Sequence, residues 1–167
     1  MALITIDLGA NEVEPCGSLA GLDQACLNQA FTDVAAGLPR VLRALRGAAG
    51  REVPIVGMNY YDPFVVAWLL GEDGRRLAEA ASVRSAMFNA MLKGLYAGFS
   101  ALVADLAAAF QSEDFTPVPG AGGLPVNVIL ACQWTWMCAP APIGPNIHAN
   151  AEGYGVIAEA FLAVLPR

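Results

Sequence analysis

Two polar residues near opposite ends of this sequence have side chains suited to acyl-group chemistry. His148 is the single histidine of the chain, so a step that needs imidazole near neutral pH must use it. Asn11 follows a glycine just after the first apolar run, where its side-chain amide can stabilise a developing oxyanion. Each residue also has an ordinary interpretation, His148 as a structural or solvent-exposed loop residue and Asn11 as a turn residue.

Aromatic side chains gather in two segments that belong to the predicted site-forming loops. They are Tyr60, Tyr61, Phe64, Trp134 and Trp136. Such rings can wall an apolar acyl pocket, and ordinary core packing or a partner surface is the alternative. Asp62, in the first of these segments, is a weaker candidate for orienting His148 from a distant loop.

Three β-branched apolar runs predict buried strands that would position these residues. The predicted strands cover residues 3–6, 53–58 and 101–104, and the predicted helices cover residues 22–49, 73–98 and 150–165. Gly50 is expected to cap the first helix, and Pro39 to kink or break it. Alternating strands and helices predict an α/β fold with an open parallel sheet. In such sheets the active site lies beyond the carboxyl ends of the strands.

The four cysteines form two close pairs in the sequence, Cys16 with Cys26 and Cys132 with Cys138. This spacing favours two local disulfides over zinc, which prefers tighter cysteine pairs and more ligands. Four buried free thiols are the alternative. Nothing in the sequence suggests a metal, nucleotide or organic cofactor.

Composition limits the class of protein. A chain of 167 residues favours one domain, and 56% hydrophobic against 14% charged residues excludes intrinsic disorder. The net charge of −6 argues against nucleic-acid binding and against a polybasic membrane anchor. No uncharged apolar stretch reaches about 18 residues, so no membrane span is predicted. The first residues lack the basic region of a signal peptide.

Two segments resemble blocks of the GDSL-type (SGNH) family of serine ester hydrolases. Gly9-Ala10-Asn11-Glu12 is similar to the Gly-x-Asn-Asp block of that family. His148-Ala149-Asn150, followed by Gly153-Tyr154, is similar to its His-Pro-Asn-x-x-Gly-Tyr block, with alanine in place of proline. The loop over residues 58–64 and the paired cysteines resemble secreted actinobacterial members, which implies a secreted origin.

The resemblance implies a flavodoxin-like, three-layer α/β fold and carboxylic ester hydrolysis without a cofactor. It assigns oxyanion stabilisation to Asn11 and general-base catalysis to His148, which later protonates the leaving alcohol. The glycine that is the family's second oxyanion donor has no counterpart here, and we expect the backbone N–H of Gly9 to act beside Asn11 instead. The acid expected three residues before the histidine is replaced by Pro145, and Asn146 can hydrogen-bond without carrying a charge. The family's Gly-Asp-Ser nucleophile block has no counterpart in residues 1–167, which we therefore expect to form one domain lacking the first strand and nucleophile segment of the family.

An unconventional nucleophile is then required: a serine, a threonine such as Thr116 or Thr135, or a water molecule activated by His148. Ser18 and Ser112 follow predicted strands, whereas Ser82 and Ser85 fall within a helix and Ser100 near the start of a strand. Ser18 is the preferred candidate. A turn or capping role is its alternative.

The predicted strand at residues 3–8 would form an exposed sheet edge. It is long and apolar and contains neither proline nor lysine. Soluble proteins avoid leaving such an edge unpaired. We therefore expect a homodimer or higher homo-oligomer that pairs through this edge, and coverage by a rearranged carboxyl-terminal tail is the alternative. Two functions stand at this point. One is hydrolysis of small, fairly apolar esters, and the other is a catalytically impaired remnant of the fold that serves as an oligomeric or ligand-binding scaffold.

Overall fold

Three short parallel strands form the central sheet of the structure, a computed structural model that describes residues 2–165. The described residues contain seven strands in all, of which β1, β4 and β5 form the central sheet. They are β1 (Ile4–Ile6), β2 (Gly17–Ser18), β3 (Gly21–Leu22), β4 (Ile55–Met58), β5 (Leu102–Ala104), β6 (Thr135–Trp136) and β7 (Asn146–Ala149). The α-helices are α1 (Ala10–Val13), α2 (Gln24–Ala49), α3 (Glu72–Ala97), α4 (Leu106–Ala109), α5 (Val126–Trp134) and α6 (Ala151–Ala163). Two 3-10 helices cover Glu14–Cys16 and Pro63–Leu70. Residues 1, 166 and 167 of the expected domain lie outside the described residues.

The central sheet has the order β1-β4-β5, with all neighbours parallel. All four residues of β4 are buried, as expected of a central strand that is covered on both faces. The predicted α/β class is confirmed, although each strand is shorter than its apolar run. The small pairs β2–β3 and β6–β7 are antiparallel and lie outside this sheet.

Alternating side chains of β4 divide the core between two faces of the sheet. Ile55 packs with Leu42 of α2 and Leu92 of α3 on one face. Val56 packs on the other face, in a cluster that α6 covers with Phe161. The helices therefore cover the sheet on both sides and leave the carboxyl ends of its strands to the loops.

The ends of α2 follow local capping chemistry. At its start, the side chain of Asp23 accepts a hydrogen bond from the backbone N–H of Cys26. At its end, Gly50 has φ +76°, a conformation that side chains disfavour, so this predicted cap is confirmed. The expected break at Pro39 does not occur, because α2 runs through that residue as one helix.

The carboxyl-terminal third is built around a helix that periodicity did not show. The short apolar run at residues 126–130 begins α5, which contacts the 3-10 helix over Pro63–Leu70. Val128 and Val65 are fully buried where these elements meet. Both predicted disulfides, Cys16–Cys26 and Cys132–Cys138, are present.

Strand β1 occupies an edge of the central sheet, as expected. Leu3 and Leu8, which flank it, are 42% and 46% exposed. Pairing with a second copy through this edge stays a prediction. Within residues 2–165, helix length and hydropathy together rule out every helix as a membrane-crossing segment.

Candidate functional site

A cavity of about 330 Å³ opens where β1 and β4 end. Its walls come from the segment after β1, the loop after β4, the middle of α3 and strand β7. Seven residues that the sequence singled out share this cavity: Gly9, Asn11, Tyr60, Tyr61, Asp62, Phe64 and His148. The fold thus brings the segments around Asn11 and His148 together at the carboxyl edge of the sheet, where an α/β sheet usually holds its ligand.

The turn after β1 depends on Gly9. Its φ of +120° lies in the region that favours glycine, and a Cβ there would meet the ring of Phe88 at 3.1 Å. This turn starts the short helix α1, in which Asn11 is exposed and lines the cavity. The backbone and amide groups assigned to oxyanion stabilisation therefore lie on one tight turn.

The imidazole of His148 is oriented by a neighbour on the same strand. Its Nδ1 lies 2.7 Å from Oδ1 of Asn146, and the same oxygen accepts the backbone N–H of His148 at 2.9 Å. An amide oxygen accepts hydrogen bonds but cannot donate them, so Nδ1 must carry the ring proton. The lone pair on Nε2 is then the basic position of the ring.

Strand β7 is held in place from two sides. The hydroxyl of Tyr61 donates to the carbonyl of Ile147 at 2.8 Å. Burial of the Tyr61 side chain, with the neighbouring Tyr154, raises the pKa of this phenol to about 12, so it remains a donor at neutral pH. On the other side, β7 pairs with β6, and the backbone N–H of Asn150 donates to the carbonyl of Trp134 at 2.9 Å.

Asp7, which the sequence reading did not single out, is a further acidic residue of the cavity. Its Oδ1 accepts the hydroxyl of Tyr60 at 2.7 Å. Burial and then this carboxylate raise the pKa of the Tyr60 phenol, which therefore stays protonated. The available sequence signal was the position of Asp7 directly after an apolar strand.

Asp62 is almost completely buried at the wall of the cavity, with 3% of its surface exposed. Oδ1 accepts the backbone N–H of Phe64 at 2.9 Å, while Oδ2 has no hydrogen-bond partner among the described residues. Burial raises the pKa of this carboxyl to about 7. His148 is oriented by Asn146 and forms no hydrogen bond with Asp62, in contrast to the weaker expectation for that carboxyl.

The serines considered as nucleophiles lie in different environments. Ser18, the preferred candidate, is exposed outside the cavity lining, where its hydroxyl donates to Gly21 at 3.4 Å and accepts from Ala20 at 3.2 Å. These are the contacts of a turn, which was its alternative interpretation. Ser112 is buried, and its hydroxyl accepts the N–H of Asp62 at 3.1 Å. Ser85, expected to lie away from the site, lines the cavity from α3.

The two tryptophans proposed for the acyl pocket lie outside the cavity lining. Trp134 packs edge-on against Phe110, with ring centroids 5.1 Å apart, and Phe110 in turn stacks on Tyr61 at 4.3 Å. Trp134 therefore supports a wall residue from behind, in agreement with the core-packing alternative. Trp136 is 38% exposed.

Residues 2–165 contain no group of three or more histidine, cysteine, aspartate or glutamate side chains arranged to hold a metal ion. Comparisons of the chain with protein-family models, with curated proteins and with solved structures found no significant match.

Proposed function

We propose that this protein hydrolyses small, fairly apolar carboxylic esters in the cavity beside β1 and β4. One observation carries the proposal: the oriented imidazole of His148 and the amide of Asn11 line the same cavity. A base with a defined tautomer and an oxyanion donor in the same cavity are two of the three groups that acyl transfer requires.

The third group is the nucleophile, and we assign it to water. Ser18 lies outside the cavity lining, and the hydroxyl of Ser112 is buried against the backbone of Asp62. Nε2 of His148 removes a proton from water as the water oxygen bonds to the ester carbonyl carbon. Asn11 and the N–H of Gly9 stabilise the resulting oxyanion.

The second half of the reaction returns the proton. The tetrahedral intermediate reforms its carbonyl bond and breaks the bond to the alkoxy oxygen. That oxygen takes the proton from the His148 imidazolium, so the products are a carboxylic acid and an alcohol and the imidazole is again neutral. Because Asn146 is uncharged, it fixes the tautomer but adds no negative charge to stabilise the imidazolium.

The size and walls of the cavity set the substrate class. A volume of about 330 Å³ is at the lower end of small-molecule sites. Met58, Phe31 and Leu27 contribute apolar surface, and Tyr60 and Tyr61 contribute rings with polar tips. The walls therefore favour short acyl or alkoxy chains.

The test is the rate of p-nitrophenyl acetate and butyrate hydrolysis by His148→Gln, which preserves side-chain size without a base. We expect kcat/KM to fall by about 100-fold or more. Ser85→Ala is the matched control, since Ser85 lines the same cavity and water is the assigned nucleophile. Hydrolysis that is unaffected by His148→Gln would contradict the mechanism, and a fluorophosphonate adduct on Ser85 would replace water with that serine.

Membership of the GDSL-type (SGNH) family is part of the same proposal. It is supported by the fact that the two segments that resemble the family, around Asn11 and His148, line the same cavity. The alternative function is a ligand-binding scaffold without turnover. The location of Ser18 outside the cavity favours it. Ligand binding by a protein without esterase activity would select this alternative.

A further inference from the structure

Charge is distributed unevenly around the cavity. Asp7, Glu12 and Glu14 are exposed carboxylates that line it. Among the described lining residues, Arg84 alone is a lysine or arginine, and its guanidinium donates to Sδ of Met87 at 3.9 Å. A ligand in the cavity is therefore surrounded by more negative than positive charge, which attracts cations and disfavours anions.

Aromatic side chains contribute to the lining of the cavity. Phe88 lies between Phe31 and Tyr60, with ring centroids 5.1 and 6.1 Å away, and Tyr61 and Phe64 also line the cavity. Aromatic faces attract organic cations electrostatically, and the same rings pack against the apolar body of such a ligand. Rings and carboxylates together thus favour a cation that carries a hydrocarbon chain.

Asp62 adds an independent indication. Its Oδ1 is occupied by the N–H of Phe64, whereas Oδ2 is buried without a donor among the residues described. A buried acceptor without a partner costs free energy, which a ligand recovers when it supplies an N–H group. Asp62 is a lining residue of the cavity, so this unpaired oxygen belongs to a side chain that a bound ligand contacts.

We infer that the cavity binds a primary alkylammonium group, whose nitrogen donates to Oδ2 of Asp62 and whose alkyl chain packs against the aromatic rings. This inference rests on the proposed function for the location of the ligand. It narrows the substrate class to esters whose acyl or alcohol part carries a primary amine. Neutral and anionic esters of the same size are then weaker ligands.

The experiment compares three probes with the same hydrocarbon body and different charge: n-hexylammonium, 1-hexanol and hexanoate. Binding is measured by ligand-observed NMR and calorimetry at pH 8 and low salt. We expect n-hexylammonium to bind about fivefold tighter than 1-hexanol, and hexanoate to bind most weakly. Equal or tighter binding of 1-hexanol would overturn the inference, because an apolar cavity without cation recognition favours the neutral probe.

Three variants locate the recognition. Asp62→Asn removes the charge at the cavity wall and is expected to abolish the preference for n-hexylammonium. Asp7→Asn, which retains an acceptor for Tyr60, is expected to reduce the preference about twofold to threefold and covers the case in which Asp62→Asn does not fold. Glu52→Gln removes the same charge from an exposed residue outside the cavity lining and is the control. A preference lost equally in Glu52→Gln would overturn the inference.

Binding and hydrolysis are measured separately, so the two proposals fail separately. A charge preference without ester hydrolysis contradicts only the proposed function. Hydrolysis through His148 without a preference for n-hexylammonium contradicts only the inference on ligand class.

Discussion

Asn59 and Asp62 are two buried polar residues of the same loop, three positions apart, with opposite degrees of hydrogen-bond satisfaction. Nδ2 of Asn59 donates to Asp105 at 2.7 Å, and its Oδ1 accepts the backbone N–H groups of Leu106 and Ala107 at 2.6 and 3.2 Å. Asp62 uses one carboxyl oxygen and leaves the other without a partner in the described part of the chain.

The contrast separates a polar residue that joins two strands from one that lines the cavity. Asn59 is fully buried, joins the end of β4 to the end of β5, and does not line the cavity. Asp62 lines the cavity, and its buried Oδ2 has no donor among the described residues. A buried polar group that is fully hydrogen-bonded contributes to stability, whereas one left partly unpaired is a cost that suggests a ligand.

The largest expected effect is on stability and comes from Asn59, the residue whose side chain is hydrogen-bonded at both polar atoms. Asn59→Ala leaves the N–H groups of Leu106 and Ala107 buried without their acceptor, so we expect the free energy of unfolding to fall by about 3 to 5 kcal/mol. Urea denaturation measures it. Asn28→Ala, at an exposed position of α2, is the control and should change stability by less than about 0.5 kcal/mol. A small loss in Asn59→Ala would remove the distinction between the two residues.

Asp62 should make the free energy of unfolding depend on pH. Burial raises its pKa in the folded protein to about 7 from 3.8, so the folded state binds a proton that the unfolded state releases. The stabilisation by Asp62 is fully present below about pH 3.8 and is lost as the pH rises through about 7. Asn cannot titrate, so between pH 4 and 8 Asp62→Asn should gain stability relative to wild type, by at most about 4 kcal/mol.

This gain is measured as the difference in urea midpoint between variant and wild type across the pH range. Asp33→Asn, at an exposed carboxyl of α2, is the matched control and should stay parallel to wild type. Parallel curves for Asp62→Asn would show that its carboxyl is not held protonated by burial, and the contrast with Asn59 would then weaken.

The smallest expected effect concerns the two nitrogens of the His148 ring, one of which is hydrogen-bonded within the described residues while the other is not. Nδ1 is bonded to Asn146, and Nε2 is the basic position. Asn146→Ala removes the acceptor that fixes the tautomer, so kcat/KM for p-nitrophenyl butyrate should fall about tenfold. Asn146→Asp keeps an acceptor and adds a negative charge near the imidazolium, so kcat/KM should rise. Identical rates in wild type and both Asn146 variants would show that the hydrogen bond between Asn146 and His148 has no role in catalysis.

The course of the chain was predictable where periodicity and capping are local. The strands around residues 4–6, 55–58 and 102–104, the two long helices and both disulfides follow from apolar spacing, Gly50 and the cysteine pairs. Of the kink or break expected at Pro39, the break is absent, because the packing of Leu38 and Leu42 against the sheet holds α2 continuous. The kink stays a prediction. Helix α5 was missed because its short apolar run shows no clear helical period.

The sequence predicts which segments of the chain meet at the site better than it predicts which side chains face the cavity. The rule that ligands lie at the carboxyl edge of a parallel sheet places Gly9, Asn11 and Tyr60 together. It does not tell which residues of a helix face that edge, and for this reason Ser85 was placed away from the cavity. The free oxygen of Asp62 and the partner of Asp7 depend on three-dimensional packing and leave no signal in one sequence.

Strand β1 has a consequence for ligand binding through its position at the sheet edge. It ends at Ile6, and the next residue, Asp7, already lines the cavity. A strand that pairs with β1 would therefore lie next to the backbone that carries Asp7, and we expect it to restrict the positions open to that residue. By thermodynamic linkage, a ligand that favours the ordered position of Asp7 strengthens that pairing by the same factor by which the pairing strengthens ligand binding. If a second copy pairs with β1 as predicted and the cavity binds the proposed ligand, each of these two events would then strengthen the other.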